Sequence, residues 1–225
     1  MQIAENLKQV DENIAAAAAR TGRDPADVTL VVVTKTRTPD EIRTAVEAGV
    51  SVFGENRIQE AAEKIPELAD LPVSWHMVGH LQRNKVKKAL ELFEVIQSLD
   101  SLRLAAEVDK RASAPVPCLL EVNTSGEKSK FGVTPAEVGA IVNELGQYSN
   151  VELRGLMTVG PLTPDEDRIR RAFAELAGLF DEVKANAGPG FRELSMGMTD
   201  DYGIAIEEGA TIIRVGRAVF GERPY

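Results

Sequence analysis

The chain has 225 residues, of which 44% are hydrophobic, and it carries a formal net charge of -9. This length and apolar content suffice for one sizeable core, so we expect a single domain spanning residues 1–225. The acidic balance argues against nucleic acid or an anionic membrane surface as the main partner, because both bind through clustered cationic side chains. Small molecules and proteins remain as partners.

The first segment predicts an amphipathic helix, Ile3 to Arg20, rather than a targeting sequence. Its apolar residues recur at helical spacing among charged ones, and no apolar run in the chain reaches membrane-spanning length. The single cysteine, Cys118, lies within an apolar run, which excludes an internal disulfide and favours a buried, inert thiol. We therefore expect a cytoplasmic protein.

Three later helices begin with the same chemistry. The segments Thr38–Glu41, Thr134–Glu137 and Thr163–Glu166 each offer a threonine N-cap, a proline at the first helical position and a glutamate that can close a capping box. An amphipathic pattern follows each of them. Helices are therefore predicted to start at these three places.

Short apolar or β-branched runs alternate with the helical patterns. There are eight of them, at Val28 to Thr34, Val50 to Gly54, Val73 to Gly79, Phe93 to Leu99, Val116 to Asn123, Val151 to Val159, Phe191 to Met196 and Thr211 to Val215. Alternating strands and helices favour a parallel sheet, and eight strands favour a closed barrel over an open sheet. The sequence thus predicts an α/β fold, a single-domain (β/α)8 TIM barrel with an extra N-terminal helix.

In such a barrel the working groups lie where the strands end. Lys35 follows the first strand, where an amine can lose water, lower its pKa and attack a carbonyl. Glycines and hydroxyls follow strands seven and eight, the usual phosphate site of such barrels, and a helix from Asp200 to Glu207 is predicted behind them. An amine facing a phosphate site suggests a ligand that carries both an aldehyde and a phosphate. Pyridoxal phosphate has both groups.

Several motifs resemble those of the pyridoxal phosphate homeostasis proteins, whose bacterial members are called YggS-type and which are related to the N-terminal domain of alanine racemase. The motifs occur in the same order from about Lys35 to Gly221. They are Val33–Thr36, Phe53–Arg57, Trp75–Gln82, Asn123–Gly132, Ser195–Met198 and Ile213–Gly216. Agreement of separate motifs is more specific than any single glycine pattern.

The resemblance implies a cofactor, pyridoxal 5'-phosphate, held covalently on Lys35. It implies a phosphate loop of Ser195, Gly197 and Thr199, the last in place of the usual serine, completed by backbone from Gly216 and Arg217. It further implies that Arg214 faces the pyridine nitrogen and that Asn56 and His76 form the polar lining near the cofactor. The implied fold lacks the second, β-rich domain of alanine racemase.

Arg214 bears on the activity that we expect. A guanidinium beside the pyridine nitrogen leaves the ring neutral and makes the cofactor a weak electron sink. Racemisation on such a ring needs a second acid/base opposite the lysine, commonly a tyrosine. Of Tyr148, Tyr202 and Tyr225, only Tyr202 follows the phosphate loop, and packing is its expected role.

The sequence therefore favours a non-catalytic carrier and regulator of the vitamin B6 pool, in agreement with the resemblance. The expected partners are pyridoxal phosphate and the apoenzymes that require it, and the family favours a monomer. A pyridoxal-dependent amino-acid racemase stays open, as does a Schiff-base aldolase in which Lys35 attacks a sugar-phosphate ketone. His76 and His80 are four residues apart but lack a carboxylate at ligand spacing, so no metal site is expected.

Overall fold

The computed structural model describes residues 2–127 and 129–222, which form a closed barrel of eight parallel strands in chain order. The strands are β1 (Thr29–Val33), β2 (Val52–Glu55), β3 (Ser74–Met77), β4 (Val95–Leu99), β5 (Val116–Glu121), β6 (Val151–Met157), β7 (Glu193–Ser195) and β8 (Ile212–Val215). Each strand overlaps one predicted run. The predicted TIM barrel is therefore confirmed.

Helices connect successive strands around the outside of the barrel. They are α1 (Gln2–Arg20), α2 (Pro39–Glu47), α3 (Ile58–Glu67), α4 (Val86–Leu92), α5 (Leu102–Arg111), α6 (Val138–Leu145), α7 (Glu166–Lys184), α8 (Tyr202–Glu207) and α9 (Arg217–Phe220). The predicted extra helix is α1, which packs against α8 and α9. Its Asn6 amide donates to the carbonyl of Val219, and its Asn13 amide donates to the hydroxyl of Tyr202.

Two of the three predicted helix starts are as expected. Thr38 accepts from the backbone N–H of Glu41, whose carboxylate accepts in return from the N–H of Thr38. At the second start, a short 3₁₀ helix, Pro135–Glu137, precedes α6, and Glu137 accepts from the N–H of Thr134 in the same way. Both segments therefore start with the carboxylate half of the predicted capping box in place.

The third predicted helix start is wrong. The Thr163 hydroxyl accepts from the N–H of Asp165 in a short turn, so Pro164 lies ahead of the helix. Asp165 is the N-cap instead, because its carboxylate accepts from the N–H of Arg168. Aspartate and threonine are both good N-caps, and the sequence contains both here.

The barrel closes through the pairing of β1 with β8. Val31 lies opposite Arg214, and Val32 lies opposite Val215. This register brings the end of β8 to the end of β1. A Cβ built on Gly216 would lie 3.2 Å from the carbonyl oxygen of Val33, so the chain after β8 passes directly over the approach to Lys35.

The core has two parts. The larger part fills the space between the strands and the surrounding helices. The smaller part lies inside the barrel and consists of Val31, Val78, Leu119, Met157 and Ile212. Because side chains alternate along a strand, residues two positions beyond these inner ones face the same interior, nearer the mouth.

Gly155 tests how tightly β6 and β7 pack. A Cβ there would overlap the carbonyl oxygen of Glu193 on the neighbouring strand, whereas a Cβ on Gly139 of α6 meets nothing within 4 Å. We expect Gly155→Ala to lower the free energy of unfolding by about 3 kcal/mol, because backbone must shift to admit the methyl group. The matched control, Gly139→Ala, should raise it by about 0.5–1 kcal/mol. Equal effects in urea denaturation would contradict this packing.

Candidate functional site

Lys35 lies on a tight turn at the end of β1. The N–H of Arg37 donates to the carbonyl of Thr34 at 2.9 Å, which makes Lys35 and Thr36 the two central residues of a β-turn. Thr36 has a φ of +64°, in the left-handed region that type II turns normally fill with glycine. A β-branched residue in this conformation is strained, and such strain is concentrated at functional sites.

The loop after β7 forms a backbone cradle beside this turn. Gly197 has a φ of +91°, and a Cβ there would lie 2.6 Å from the Cβ of Ala205 and 2.9 Å from the Cα of Tyr202. Only glycine allows the loop to fold this closely onto α8. Beyond Met198, the backbone N–H groups of Thr199 and Asp200 have no backbone acceptor among the described residues. They are therefore available to an anion.

Asp201 stabilises this loop through a hydrogen bond to its backbone. Its carboxylate accepts from the N–H of Met198 at 2.5 Å, and burial raises the pKa of this carboxyl while the hydrogen bond opposes the rise. The predicted helix from Asp200 starts two residues later, at Tyr202. Arg217 extends from the other side, and its side chain forms an ion pair with Asp200. The Arg217 guanidinium is thus engaged at the rim, and its expected contribution through the backbone stays a prediction.

Arg214 is buried inside the barrel. Its Nη1 donates to the Ser195 hydroxyl at 2.5 Å, and its Nη2 donates to the carbonyl of Thr158 at 2.6 Å. Burial lowers the pKa of the guanidinium to about 10, while the carboxylates of Glu121 and Asp201 raise it. The side chain therefore stays positively charged at neutral pH, inside the mouth of the barrel.

The position of Ser195 corrects one expectation. Its hydroxyl was expected in the phosphate loop, but it is fully buried and accepts from Arg214 while donating to the Gln97 side-chain oxygen at 2.7 Å. A hydroxyl has one hydrogen, and this one is already used. Ser195 therefore holds Arg214 in place, and its side chain does not donate to a phosphate.

The same chain of hydrogen bonds fixes the protonation of His76. The Gln97 side-chain oxygen can only accept, so the Ser195 hydroxyl donates to it and accepts from Arg214. The Gln97 amide nitrogen then donates to Nδ1 of His76 at 2.8 Å. His76 is therefore neutral, with its proton on Nε2. Burial, together with the positive charge of Arg154, lowers its pKa to about 4.

Asn56 follows β2 and carries an unsatisfied atom. Its side-chain Oδ1 is buried and has no hydrogen-bond partner among the described residues. A buried acceptor without a donor costs about 1–3 kcal/mol, so native proteins rarely leave one. A Cβ on the neighbouring Gly79 would overlap the backbone of Asn56, so the two strand ends meet closely here.

Three residues of the site were missed by the sequence reasoning. Gln97 joins His76 to Ser195, Glu121 ends β5 inside the barrel, and Lys64 lies buried behind the Lys35 turn. Burial raises the pKa of Glu121 to about 7, Asp100 adds to the rise, and Arg214 opposes it. Strand alternation could have found Glu121, because it lies two residues beyond the inner Leu119.

The described part of the chain contains neither a metal-binding group of side chains nor a membrane-spanning helix. Residues 2–127 and 129–222 contain no group of three or more His, Cys, Asp or Glu side chains that could hold a metal ion. His80 instead pairs with Asp100, at 3.0 Å, and stacks on Phe131. Within the same residues, none of the helices combines the length and the apolar character that a membrane crossing requires.

Comparison with known proteins defines the class. The family model "Alanine racemase, N-terminal domain" matches residues 6–224. The match covers nearly the whole chain, which is therefore a barrel of the alanine racemase N-terminal type.

Individual relatives narrow this class. The chain is 42% identical over 226 residues to the pyridoxal phosphate homeostasis protein of Pseudomonas aeruginosa, with 99% of this chain and 96% of the relative covered. It is 40% identical to the protein of the same name from Aquifex aeolicus, with full coverage of both. The structure of PipY from Synechococcus elongatus PCC7942 with PLP bound matches with a TM-score of 0.83 and 38% identity, covering 98% of this chain and 100% of PipY. The chain belongs to the pyridoxal phosphate homeostasis protein family.

His76 gives a testable pH dependence. Its folded pKa of about 4 lies below its ordinary value of 6.5, so between these values the unfolded chain binds more protons than the folded one. The free energy of unfolding should therefore fall as the pH is lowered from 6.5 towards 4. We expect His76→Gln to lack this part of the dependence and the His76 ring resonances to show no titration above about pH 5. A His76 titration near its ordinary pKa in the folded protein would contradict the assigned hydrogen bonds.

Proposed function

We propose that this protein holds pyridoxal 5'-phosphate covalently, as a Schiff base on Lys35, and acts in intracellular vitamin B6 homeostasis as a carrier and regulator. The observation that carries the proposal is the register of β1 with β8, which brings Gly216 against the end of β1, next to the Lys35 turn. The Gly197 loop is joined to the same strand β8 by the hydrogen bond from the N–H of Arg214 to the carbonyl of Gly197. An amine and an anion site are thereby neighbours. The names of the relatives and the bound PLP of PipY support the choice of ligand.

The residues present fit this cofactor. Gly197 admits no side chain, which leaves the following backbone N–H groups open to a phosphate. Asn56 has a buried oxygen that receives no hydrogen bond from the part of the chain that the structure describes, and a ligand with a hydroxyl group can supply a donor. Arg214 keeps a positive charge inside the barrel mouth, although burial lowers its pKa to about 10, and a positive charge there favours an anionic or electron-rich ligand. Each of these features is expected of a site built around a polar, anionic ligand.

In this proposal the phosphate is held by the Thr199 hydroxyl and by backbone N–H groups of Gly197, Thr199, Gly216 and Arg217. When bound, the cofactor supplies an aldehyde that condenses with an amine. Lys35 provides that amine. The Arg214 guanidinium would face the ring nitrogen. Asn56 and His76 would form the polar lining near the cofactor, and His76 would offer its Nε2–H as a donor.

Two observations favour a carrier over an enzyme. The charged Arg214 can only donate a hydrogen bond and cannot accept one from a protonated ring nitrogen, so the ring stays neutral and is a weak electron sink. The Tyr202 hydroxyl accepts from Asn13 of α1, outside the barrel, which leaves it engaged in packing rather than aimed at the site. Tyr148 packs against the core near the end of α6, and Tyr225 lies outside the described residues. The proposed protein is one cytoplasmic domain, a monomer that delivers the cofactor to apoenzymes.

Absorption spectroscopy tests the attachment. Purified wild-type protein with added pyridoxal phosphate should develop a yellow Schiff-base band that borohydride bleaches, and mass spectrometry should then find the added mass on Lys35. Lys35→Ala should lack the band. Lys130→Ala is the matched control, because Lys130 lies on a rim loop where its ammonium donates to the carbonyl of Gly160. A wild type that stays colourless would overturn the cofactor and favour an aldolase.

Proton exchange tests the absence of catalysis. We expect the loaded protein in deuterium oxide to leave the α-protons of alanine and other amino acids unexchanged, because both tyrosines in the described residues, Tyr148 and Tyr202, are engaged in packing. Exchange at a useful rate would establish a racemase. Glu121→Gln would then identify the second acid/base, since this buried carboxyl has a pKa of about 7, suited to accept or release a proton.

A further inference from the structure

Three charged side chains form a cluster behind the Lys35 turn, of which Glu55 and Lys64 are buried and Glu60 is partly exposed. We call Glu55, Glu60 and Lys64 the Lys64 cluster. The Lys64 ammonium donates to Glu55 Oε2 at 2.6 Å, to the carbonyl of Thr34 at 2.8 Å and, more weakly, to Glu60 Oε2 at 3.5 Å. An ammonium has three hydrogens, so all of them are used within the protein. Lys64 is therefore fixed in position and its amine is not free to react.

The Lys64 cluster holds the turn on both sides of Lys35. Before Lys35, Thr34 gives its carbonyl to Lys64 and donates its hydroxyl to Glu55 at 3.0 Å. After Lys35, the N–H of Thr36 donates to Glu60 Oε2 at 2.9 Å. The left-handed backbone at Thr36 costs about 1–3 kcal/mol and persists only where its surroundings impose it. The charged hydrogen bonds of the cluster are those surroundings.

The same cluster also fixes Asn56. The second oxygen of Glu55, Oε1, accepts from the N–H of Asn56 at 2.8 Å. The Lys35 turn and the residue with the unsatisfied amide oxygen are therefore held by one carboxylate. Partial burial would raise the pKa of Glu60, but the Thr36 N–H and Lys64 together hold it below its ordinary value. Glu60 is thus ionised at neutral pH and accepts at full strength.

Stability alone does not account for a buried ion pair. The side chain of Glu55 is fully buried and that of Lys64 is only 10% exposed. Removing two such charges from water costs several kcal/mol, and apolar replacements of similar volume are often as stable. What the charges supply is direction, since the hydrogen bonds described above that leave the cluster end on Thr34, on Thr36 or on the N–H of Asn56.

We propose that Lys64 and Glu60 are positioning residues, which hold the Lys35 turn so that its amine lies ready for the aldehyde of a phosphate ester bound in the neighbouring cradle. The inference rests on the proposed function and adds residues that touch neither cofactor nor substrate. A fixed amine makes condensation with a bound aldehyde effectively intramolecular, and misplacement by about 1 Å can cost 10²-fold in rate. Loss of the cluster should therefore slow capture by Lys35 without weakening the hold on the phosphate.

The experiment compares two ligands. Pyridoxal phosphate can condense with Lys35, whereas pyridoxine phosphate carries an alcohol in place of the aldehyde and reports only ring and phosphate binding. The rate of capture is measured by borohydride trapping followed by mass spectrometry at Lys35. The affinity for pyridoxine phosphate is measured by calorimetry, and Tm is recorded for every variant.

Four variants make the comparison. Glu60→Ala removes the acceptor of the Thr36 N–H, and Glu60→Gln restores an acceptor there. Glu63→Ala is the matched control, because Glu63 is exposed and lies on the same helix as Glu60. The double variant Glu55→Gln with Lys64→Met removes both buried charges together, because either change alone leaves an unpaired buried charge.

We expect Glu60→Ala and the double variant to capture pyridoxal phosphate about tenfold more slowly, or worse, with the affinity for pyridoxine phosphate unchanged. Glu60→Gln and Glu63→Ala should retain the wild-type rate. An unchanged rate in Glu60→Ala, or equal losses for both ligands, would overturn the positioning role while leaving the proposed function intact. Failure of the wild type itself to be trapped at Lys35 would instead overturn the proposed function.

Discussion

The closure of the barrel between β1 and β8 is the constraint on which the rest of the site depends. The pairing of Val31 with Arg214 fixes how far the end of one strand stands from the end of the other. A different register would move the Arg214 guanidinium away from Ser195 and Thr158, and would separate the glycine at position 216 from the approach to Lys35. Residues more than 180 positions apart in sequence, such as Val31 and Arg214, thus come to lie side by side.

Around this closure the protein buries charge on both sides of the Lys35 turn. Inside the barrel, Arg214 is balanced by the nearby carboxyls of Glu121 and Asp201. Outside it, between β2 and α3, Glu55 is paired with Lys64. Buried charges resist rearrangement because any movement that separates them exposes the full cost of desolvation. Buried charges therefore hold the side chains in place at the part of the barrel mouth where the chemistry is proposed.

Most of the fold could be predicted from the sequence, since strand runs, caps and alternation are local signals. Lys35, Gly197 and Arg214 could be found too, because motifs and strand ends mark them. The predicted N-cap at Thr163 was wrong because two good capping residues, Thr163 and Asp165, lie two positions apart. Local sequence does not choose between them. Ser195 and Lys64 depend on partners far away in sequence, Gln97 and Thr34, and no spacing rule reports such contacts.

The unsatisfied oxygen of Asn56 has a consequence beyond binding geometry. A folded chain that carries an unpaired buried acceptor is less stable than the same chain with a donor supplied, so ligand and folding are thermodynamically linked. In a cell, small differences in stability change how often a protein unfolds and is degraded. The steady-state amount of this protein would then rise and fall with the concentration of its ligand, because the bound form is degraded more slowly.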